Sequence, residues 1–144
     1  MDKPKTDKAR ILFHGRAISI AIEKFSASCD GREAEPFIDF LYEKYKAEGS
    51  QDVTRWLSTE LGKHFRYVTK PPRWVESEPS WPYANGRPMV FVCQYGMPDN
   101  AVTRESVTWG VELYLFGART PCEGGYRTEY RVVEQEEGID GEGD

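Results

Sequence analysis

The sequence predicts a single α+β domain in which N-terminal helices pack on a C-terminal, mainly antiparallel sheet. Apolar residues in residues 7–64 recur at helical spacing, whereas those in residues 89–133 form the short apolar or alternating runs typical of strands. A loop rich in proline and aromatic residues, residues 65–88, separates the two parts. Helices followed by strands favour α+β over alternating βαβ units, and 144 residues correspond to about one domain.

The first predicted helix begins at Asp7, a capping residue, and ends near Ser28, before the turn residues 29–31. Gly15 interrupts this helix at a cost of about 1 kcal/mol relative to alanine. Its apolar residues at helical spacing are expected to face inward: Ile11, Ile18, Ile22 and Phe25, with Leu12 and Ala21 beside them.

Two more helices follow. Pro36 suits the first turn of the second helix and Gly49 its end, with an inward stripe of Phe37, Leu41 and Tyr45 widened by Ile38 and Phe40. Ser50 is predicted to cap the third helix, with Asp52 in its first turn and Gly62 ending or kinking it. Its inward residues are predicted to be Val53, Trp56, Leu57 and Leu61.

The strands are predicted from apolar runs between turn signals. Residues 65–68 form a possible short strand, and the main strands are predicted at residues 89–95, 107–116 and 126–133. Asn85-Gly86 marks a turn before the first of these three. The loop at residues 120–125 predicts that the last two strands form a hairpin. Val111, Leu113 and Leu115 should share one face, and Glu112, Tyr114 and Phe116 the other.

Phe91 and Cys93 lie inside the most continuously apolar run of the chain. Both are therefore predicted to be buried, Phe91 among the most buried residues and Cys93 as a small hydrophobic residue.

Charge is unevenly distributed along the chain. The formal net charge is −5, yet the segment of residues 134–144 holds six acidic residues and no basic one. The acidity therefore belongs to this tail, which is predicted to be disordered and outside the domain of residues 1–133. It either solubilises the protein or attracts a basic partner by its charge.

The sequence contains no signature of catalysis, of a metal site or of a cofactor site. Cys29, Cys93 and Cys122 lack metal-ligand spacing, and a pairing of Cys122 with His64 is not favoured by any feature. The odd number of cysteines and the missing secretory leader predict a cytoplasmic protein. No apolar run approaches membrane length, and the body lacks the basic stripe typical of nucleic-acid binding.

The aromatic loop is the most distinctive feature. Trp74, Trp81 and Tyr83 lie close together in it, flanked by Arg73 and Arg87. Because Trp, Tyr and Arg are enriched at binding hot spots, these five residues are predicted to bind a partner protein. The alternative is that the tryptophans fold back and close one end of the core.

One stretch resembles a known family. The residues are Trp81-Pro82, the run Asn-Gly-Arg-Pro-Met-Val-Phe-Val at positions 85–92, and Gln94. They are similar to a signature of the YwqG-like family of bacterial proteins, and residues 111–116 resemble the strand that follows it. The resemblance covers residues 79–117, and it implies a relationship to bacterial toxin-immunity proteins. It supplies no catalytic residues.

These observations lead to three functional hypotheses. The first is a non-catalytic bacterial protein-binding module, in its most concrete form an immunity protein or antitoxin that covers a toxin. The second is a small cytosolic enzyme that uses scattered acidic residues or Cys122. The third is an accessory subunit of a larger assembly. The sequence does not indicate an oligomeric state.

Overall fold

The computed structural model describes residues 8–96 and 111–136 and confirms the α+β fold class. Over these residues, three N-terminal helices precede a C-terminal antiparallel sheet of three strands and a separate two-stranded sheet. The helices are α1 (Lys8–Phe25), α2 (Glu35–Glu48) and α3 (Val53–His64), with one 3₁₀ turn at Arg32–Ala34. None of the described helices is long and apolar enough to cross a membrane.

The ends of α2 match the prediction, whereas those of α3 differ from it. Gly49 ends α2 in the left-handed conformation, with φ of 67°. Asp52, and not Ser50, caps α3, because the Asp52 carboxylate accepts a hydrogen bond from the Arg55 backbone N–H at 3.1 Å. The helix continues past Gly62 to His64. A Cβ at Gly62 would lie 3.3 Å from the Phe25 ring, so this glycine lets α1 approach α3 closely.

The predicted inward face of α1 is mostly wrong. The fully buried residues of this helix are Phe13, Ala17, Ile20 and Ala21. Ile11, Ile22 and Leu12 are exposed, Leu12 by 73%, and of the predicted set only Ala21 is fully buried, with Ile18 and Phe25 partly so. Small alanines allow close helix packing but contribute little to a hydrophobic pattern, so the larger side chains dominated the sequence-based expectation.

The described strands are β1 (Tyr83–Ala84), β2 (Arg87–Pro88), β3 (Val90–Gly96), β4 (Val111–Cys122) and β5 (Gly125–Glu136). Strands β3, β4 and β5 form one antiparallel sheet in that order, and β4 and β5 form the predicted hairpin. Residues 107–110 of the predicted second main strand lie outside the described residues. Residues 65–68 are not a strand, since they make only one isolated parallel bridge, Tyr67 to Phe91.

The turn between β1 and β2 is the one predicted from Asn85-Gly86. Both residues have positive φ, 53° and 73°, which two-residue hairpin turns of this kind require. The turn brings Pro88 opposite Tyr83 and directs the chain into β3.

Strand β3 contains an irregularity that overturns the prediction for Cys93. Phe91 pairs with Phe116, but Cys93 pairs with Leu115, so the register shifts by one residue between them. Such a bulge exchanges the two faces of a strand. Phe91 is buried as predicted, whereas Cys93 is exposed on the opposite face and Gln94 takes the inward position.

The last strand ends three residues later than predicted, because β5 continues to Glu136. Residues 134–136 therefore belong to the sheet, and residues 137–144 lie outside the described residues. Gln135 is fully buried. Its side-chain oxygen accepts hydrogen bonds from the backbone N–H groups of Val75 and Glu76, both at 3.0 Å, and its amide donates to the Glu78 carbonyl at 3.0 Å.

One hydrophobic core joins the helices, the aromatic loop and the sheet. Its largest fully buried side chains come from α2, α3, β3 and β4, and they include Phe37, Leu61, Phe91, Tyr114 and Phe116. The loop between α3 and β3 forms the layer between helices and sheet, since the Trp81 ring lies 5.2 Å from that of Phe65 and 5.1 Å from that of Phe116. Prolines keep this loop stiff enough to serve as a packing layer.

Candidate functional site

Two of the predicted partner-binding residues, Trp81 and Tyr83, lie in the core, where they are only 4% and 5% exposed. The Trp81 indole N–H donates to the Met89 carbonyl at 2.8 Å, and the Tyr83 hydroxyl donates to the Ser28 carbonyl at 2.7 Å. Burial raises the pKa of Tyr83. These positions correspond to the alternative in which the aromatic loop closes the core, because a partner cannot contact either ring without displacing it.

Trp74 is half-buried and also belongs to the packing. Its ring stacks on Tyr114 with centroids 4.5 Å apart, and its indole N–H donates to the Ser26 carbonyl at 2.6 Å. Trp74 therefore ties the end of α1 to the sheet. The neighbouring Arg73 is exposed, and its backbone N–H and carbonyl are both held by the Gln94 side-chain amide.

Arg87 is exposed and lies against a different element. Its guanidinium carbon is 3.8 Å from the centroid of the Phe40 ring of α2. The five residues predicted as one binding surface are therefore distributed over the core, the α1 end, the β3 side and α2. The structure brings the Trp74 and Trp81 rings together, with centroids 6.5 Å apart, but within the packing, and the five do not form one surface.

A different surface stands out on the sheet. Pairing across the strands aligns Tyr95 with Leu113, Cys93 with Leu115, and Val132 with Leu115 on the face directed away from the core. We call this surface the open face, and it comprises Cys93, Tyr95, Leu113, Leu115, Tyr130 and Val132. No described residue forms a layer over it, so that Tyr95, Tyr130 and Val132 remain 60%, 63% and 58% exposed.

Gly117 shapes the open face. It pairs with Tyr130, and a Cβ at this position would lie 3.3 Å from the Tyr130 ring. The missing side chain lets the tyrosine ring lie across β4, where it presents a flat aromatic surface. Contiguous exposed apolar surface of this kind usually marks an interaction site.

The sequence contained a signal for this face in the alternation of β5. Tyr126, Tyr130 and Val132 occupy every second or fourth position and are all exposed. The charged residues between them lie on the other face of the sheet. There Arg131 forms an ion pair with Glu33 at 3.3 Å, and Glu129 accepts a hydrogen bond from the Thr120 hydroxyl of β4 at 3.3 Å.

A second apolar surface lies on the helices. A groove of about 340 Å³ runs beside α1 and is lined by Leu12, Phe13, Tyr42, Tyr45 and Val53, with the cationic side chains of Arg16 and Lys46 among the lining residues. Its apolar lining comes from α1, α2 and the start of α3. It offers aliphatic and aromatic contacts, but fewer exposed aromatic rings than the open face.

The one buried carboxylate among the described residues, Glu60, belongs to an ion-pair network. Glu60 is 3% exposed and contacts Lys44 at 2.7 Å, His64 at 3.2 Å and Lys63 at 3.3 Å. Burial tends to raise the pKa of Glu60, but the bonds from Lys44, His64 and Lys63 outweigh it and the pKa is lowered. Burial lowers the pKa of His64, with Glu60 opposing that shift.

This network is chemically capable of proton transfer, but its position favours a structural role. Lys44 comes from α2 and the other three residues from α3, so the network joins the two helices. The His64 ring is enclosed by Phe37 and Phe40, with centroids 5.1 and 5.9 Å away. Neither the groove beside α1 nor the smaller cavities beside β3 and β5 are lined by Glu60 or His64.

The cysteines form no site among residues 8–96 and 111–136. Cys29 is buried, and burial raises the pKa of its thiol to about 12, so it is not a nucleophile at neutral pH. Cys122 lies at the exposed end of the β4–β5 hairpin, whereas His64 is bonded to Glu60 at the end of α3. Over the same described ranges, no group of three or more His, Cys, Asp or Glu side chains is placed to hold a metal ion.

Comparison with known proteins yields no relative. No family model matches the chain, and neither a curated protein nor a solved structure is significantly similar to it. The resemblance of residues 79–117 to the YwqG-like family therefore stays a prediction from the sequence.

Proposed function

We propose that the chain is a non-catalytic protein-binding module that recognises its partner through the open face. The observation that carries this proposal is the exposure of Tyr95, Tyr130 and Val132 on one side of a regular sheet. Tyrosine contributes strongly at interfaces because its ring buries a large apolar area with little loss of conformational freedom. Strands fixed in a sheet also lose little entropy on binding.

The net charge of the chain favours a partner protein of opposite charge. A formal net charge of −5 favours the approach of a positively charged protein over that of another acidic one. The partner expected here therefore combines an apolar patch, which covers the open face, with a net positive charge.

The finer form of the proposal is an immunity protein or antitoxin of the kind that the resemblance to the YwqG-like family implies. Such a protein acts by covering the active surface of a toxin, which requires an interaction surface and no catalytic groups. Growth of cells that express the recovered partner alone, compared with cells that also express this chain, tests this form. Toxicity that the chain does not relieve would exclude it.

The module itself is tested by affinity purification from the native host, followed by titration of the recovered protein. Tyr95→Ala should weaken binding by about 2 kcal/mol, roughly thirtyfold in Kd, because it removes an exposed aromatic ring from the open face. A denaturant melt of the same variant should show a small change only, since Tyr95 is mostly solvated.

Leu12→Ala serves as the control, because Leu12 is also a largely exposed apolar residue, 73% against 60% for Tyr95, but lies in the groove beside α1. The proposal requires that Leu12→Ala leaves the affinity unchanged. If Leu12→Ala weakens binding and Tyr95→Ala does not, the partner occupies the groove and the open face is not the recognition surface.

A further inference from the structure

Strand β5 forms an edge of the sheet that no bulge or proline interrupts. Among the described residues it pairs with β4 alone, and no backbone group outside that pair forms a backbone hydrogen bond with it. Its register with β4 runs without a shift from Gly125 to Glu136, and it contains no proline. Bulges, prolines, short strands and charged side chains are the features by which edge strands normally avoid further pairing. Of these β5 has charged side chains alone, and their sign alternates along Arg127, Glu129 and Arg131.

The hydrogen bond at the end of β5 shows which of its backbone groups point away from β4. The Glu136 N–H donates to the Glu76 carboxylate at 2.9 Å, so it points away from β4. Backbone groups alternate in direction along an antiparallel strand. The residues whose N–H and carbonyl groups also point to the open edge are therefore Tyr126, Thr128, Tyr130, Val132 and Glu134.

A second copy of β5 fits this edge in antiparallel orientation about a two-fold axis. The axis must keep both open faces on one side of the extended sheet, so it passes through a residue and not between two residues. It must also lie near the middle of the strand, so that most of β5 is paired. The residue at the centre is then Glu129, Tyr130 or Arg131. A centre at Glu129 places this carboxylate opposite itself and Arg127 opposite Arg131. A centre at Arg131 places this guanidinium opposite itself. Like charges in directly opposed positions destabilise a sheet.

Of these three centres near the middle of the strand, Tyr130 alone gives complementary charges. It places Glu129 of each copy opposite Arg131 of the other, twice across the axis, and it pairs Thr128 with Val132 on the open side. It also makes Tyr130 a hydrogen-bonded pair with its own copy, since the Tyr130 backbone groups point outward.

We propose that two copies of this chain associate through β5, in antiparallel register centred at Tyr130, to form a continuous six-stranded sheet. Tyr130 and Val132 of both copies then lie side by side and double the extent of the open face. This inference goes beyond the proposed function and does not depend on it, because it concerns the strand edge and self-association alone.

Charge reversal across the axis tests the register. Arg131→Glu and Glu129→Arg each convert both attractive pairs into repulsive ones, and each should weaken the dimer by about tenfold or more in sedimentation equilibrium. The double variant restores opposite charges and should recover most of the wild-type affinity. Arg127→Glu is the control in the same strand, because Arg127 faces the uncharged Val133 in this register and its reversal should change the affinity little.

A second control addresses the contact that Arg131 makes within one copy. Glu33→Gln removes the ion pair with Arg131 and should leave the dimer intact. Wild-type protein that remains monomeric up to about 1 mM would overturn the proposal, as would single and double variants that dimerise equally well.

Amide hydrogen exchange of the wild-type protein gives a test that needs no variant. The outward amides of Thr128, Tyr130 and Val132 should become protected as the protein concentration rises. The amides of Glu129 and Arg131, which point to β4, should be protected at every concentration. Outward amides whose exchange is fast and independent of concentration would also overturn the proposal.

Discussion

Trp81 is the residue in which the helices, the loop and the sheet meet. Its ring contacts Phe65 at the end of α3 and Phe116 in β4, and its N–H is bonded to the Met89 carbonyl inside the core. The indole thus combines packing with a buried hydrogen bond. Its loss removes both, whereas a smaller aromatic ring in its place removes only part of the packing.

We therefore predict that Trp81→Ala lowers the free energy of unfolding by about 3–5 kcal/mol, as large core truncations do. Trp81→Phe should cost less, on the order of 1–3 kcal/mol, mainly because the Met89 carbonyl loses its donor. Equilibrium unfolding in urea measures both. A loss below about 1 kcal/mol for Trp81→Ala would show that the ring is not part of the core.

Residue type alone predicted some of this core and missed the rest. The burial of Phe91 followed from the apolar run around it. The exposure of Cys93 did not, because it depends on a one-residue bulge in β3 whose position no residue type marks. The aromatic loop was equally ambiguous, since large amphipathic rings suit a core and an interface alike.

At the scale of elements, the helix and strand types and the pairing of β4 with β5 were predictable, whereas the buried face of α1 and the end of β5 were not. Periodicity identified α2 and the β4–β5 hairpin, because their apolar residues are large and regularly spaced. The inward face of α1 was mispredicted, since two of its four buried residues, Ala17 and Ala21, add little to a hydrophobic pattern. The end of β5 was also hidden, because a buried glutamine among acidic residues has the composition of a tail.

Gln135 offers a test of that strand end. Its side chain satisfies two backbone N–H groups and one carbonyl of the aromatic loop. Gln135→Ala should therefore lower the free energy of unfolding by about 2–4 kcal/mol, because these buried groups lose their partners. Glu134→Ala is the control, since Glu134 is exposed in the same strand and its loss should cost less than about 0.5 kcal/mol. Equal effects of the two substitutions in thermal and urea unfolding would contradict this role.

At the scale of the whole molecule, the order of helices and strands predicted the fold class. It did not predict that the aromatic loop forms a layer between the helices and the sheet. The change from helical to strand periodicity near residue 65 reflects a physical division of the chain into two parts. What holds the parts together is the loop between them, which supplies rings to the core on both sides. The candidate open face follows from the same arrangement, since the described helices and the aromatic loop cover one side of the sheet only.

The buried network of Glu60 and His64 predicts how the stability of the whole molecule depends on pH. The pKa of Glu60 is lowered in the folded state, so its contribution is present above its unfolded pKa of about 4.3 and is lost as the pH falls through the folded value. The pKa of His64 is also lowered, mainly by burial, so the folded state favours the neutral imidazole. As the pH falls below about 6.5, the unfolded chain takes up a proton at His64 before the folded chain does, which also reduces stability.

Both groups act in the same direction, so the free energy of unfolding should fall as the pH is lowered from 7 to about 3, first through His64 and then, below about pH 4.3, through Glu60. Urea unfolding at a series of pH values measures this for the wild type, His64→Gln and Glu60→Gln. His64→Gln should reduce the decrease between pH 7 and 5, and Glu60→Gln the further decrease at lower pH, although Glu60→Gln should be less stable at neutral pH because Lys44 loses its ion pair. Measurement at pH 8, where His64 is neutral in both states, separates any loss of packing from the effect of titration. A His64→Gln variant that keeps the full wild-type decrease between pH 7 and 5 would show that another group, and not this imidazole, causes the loss of stability.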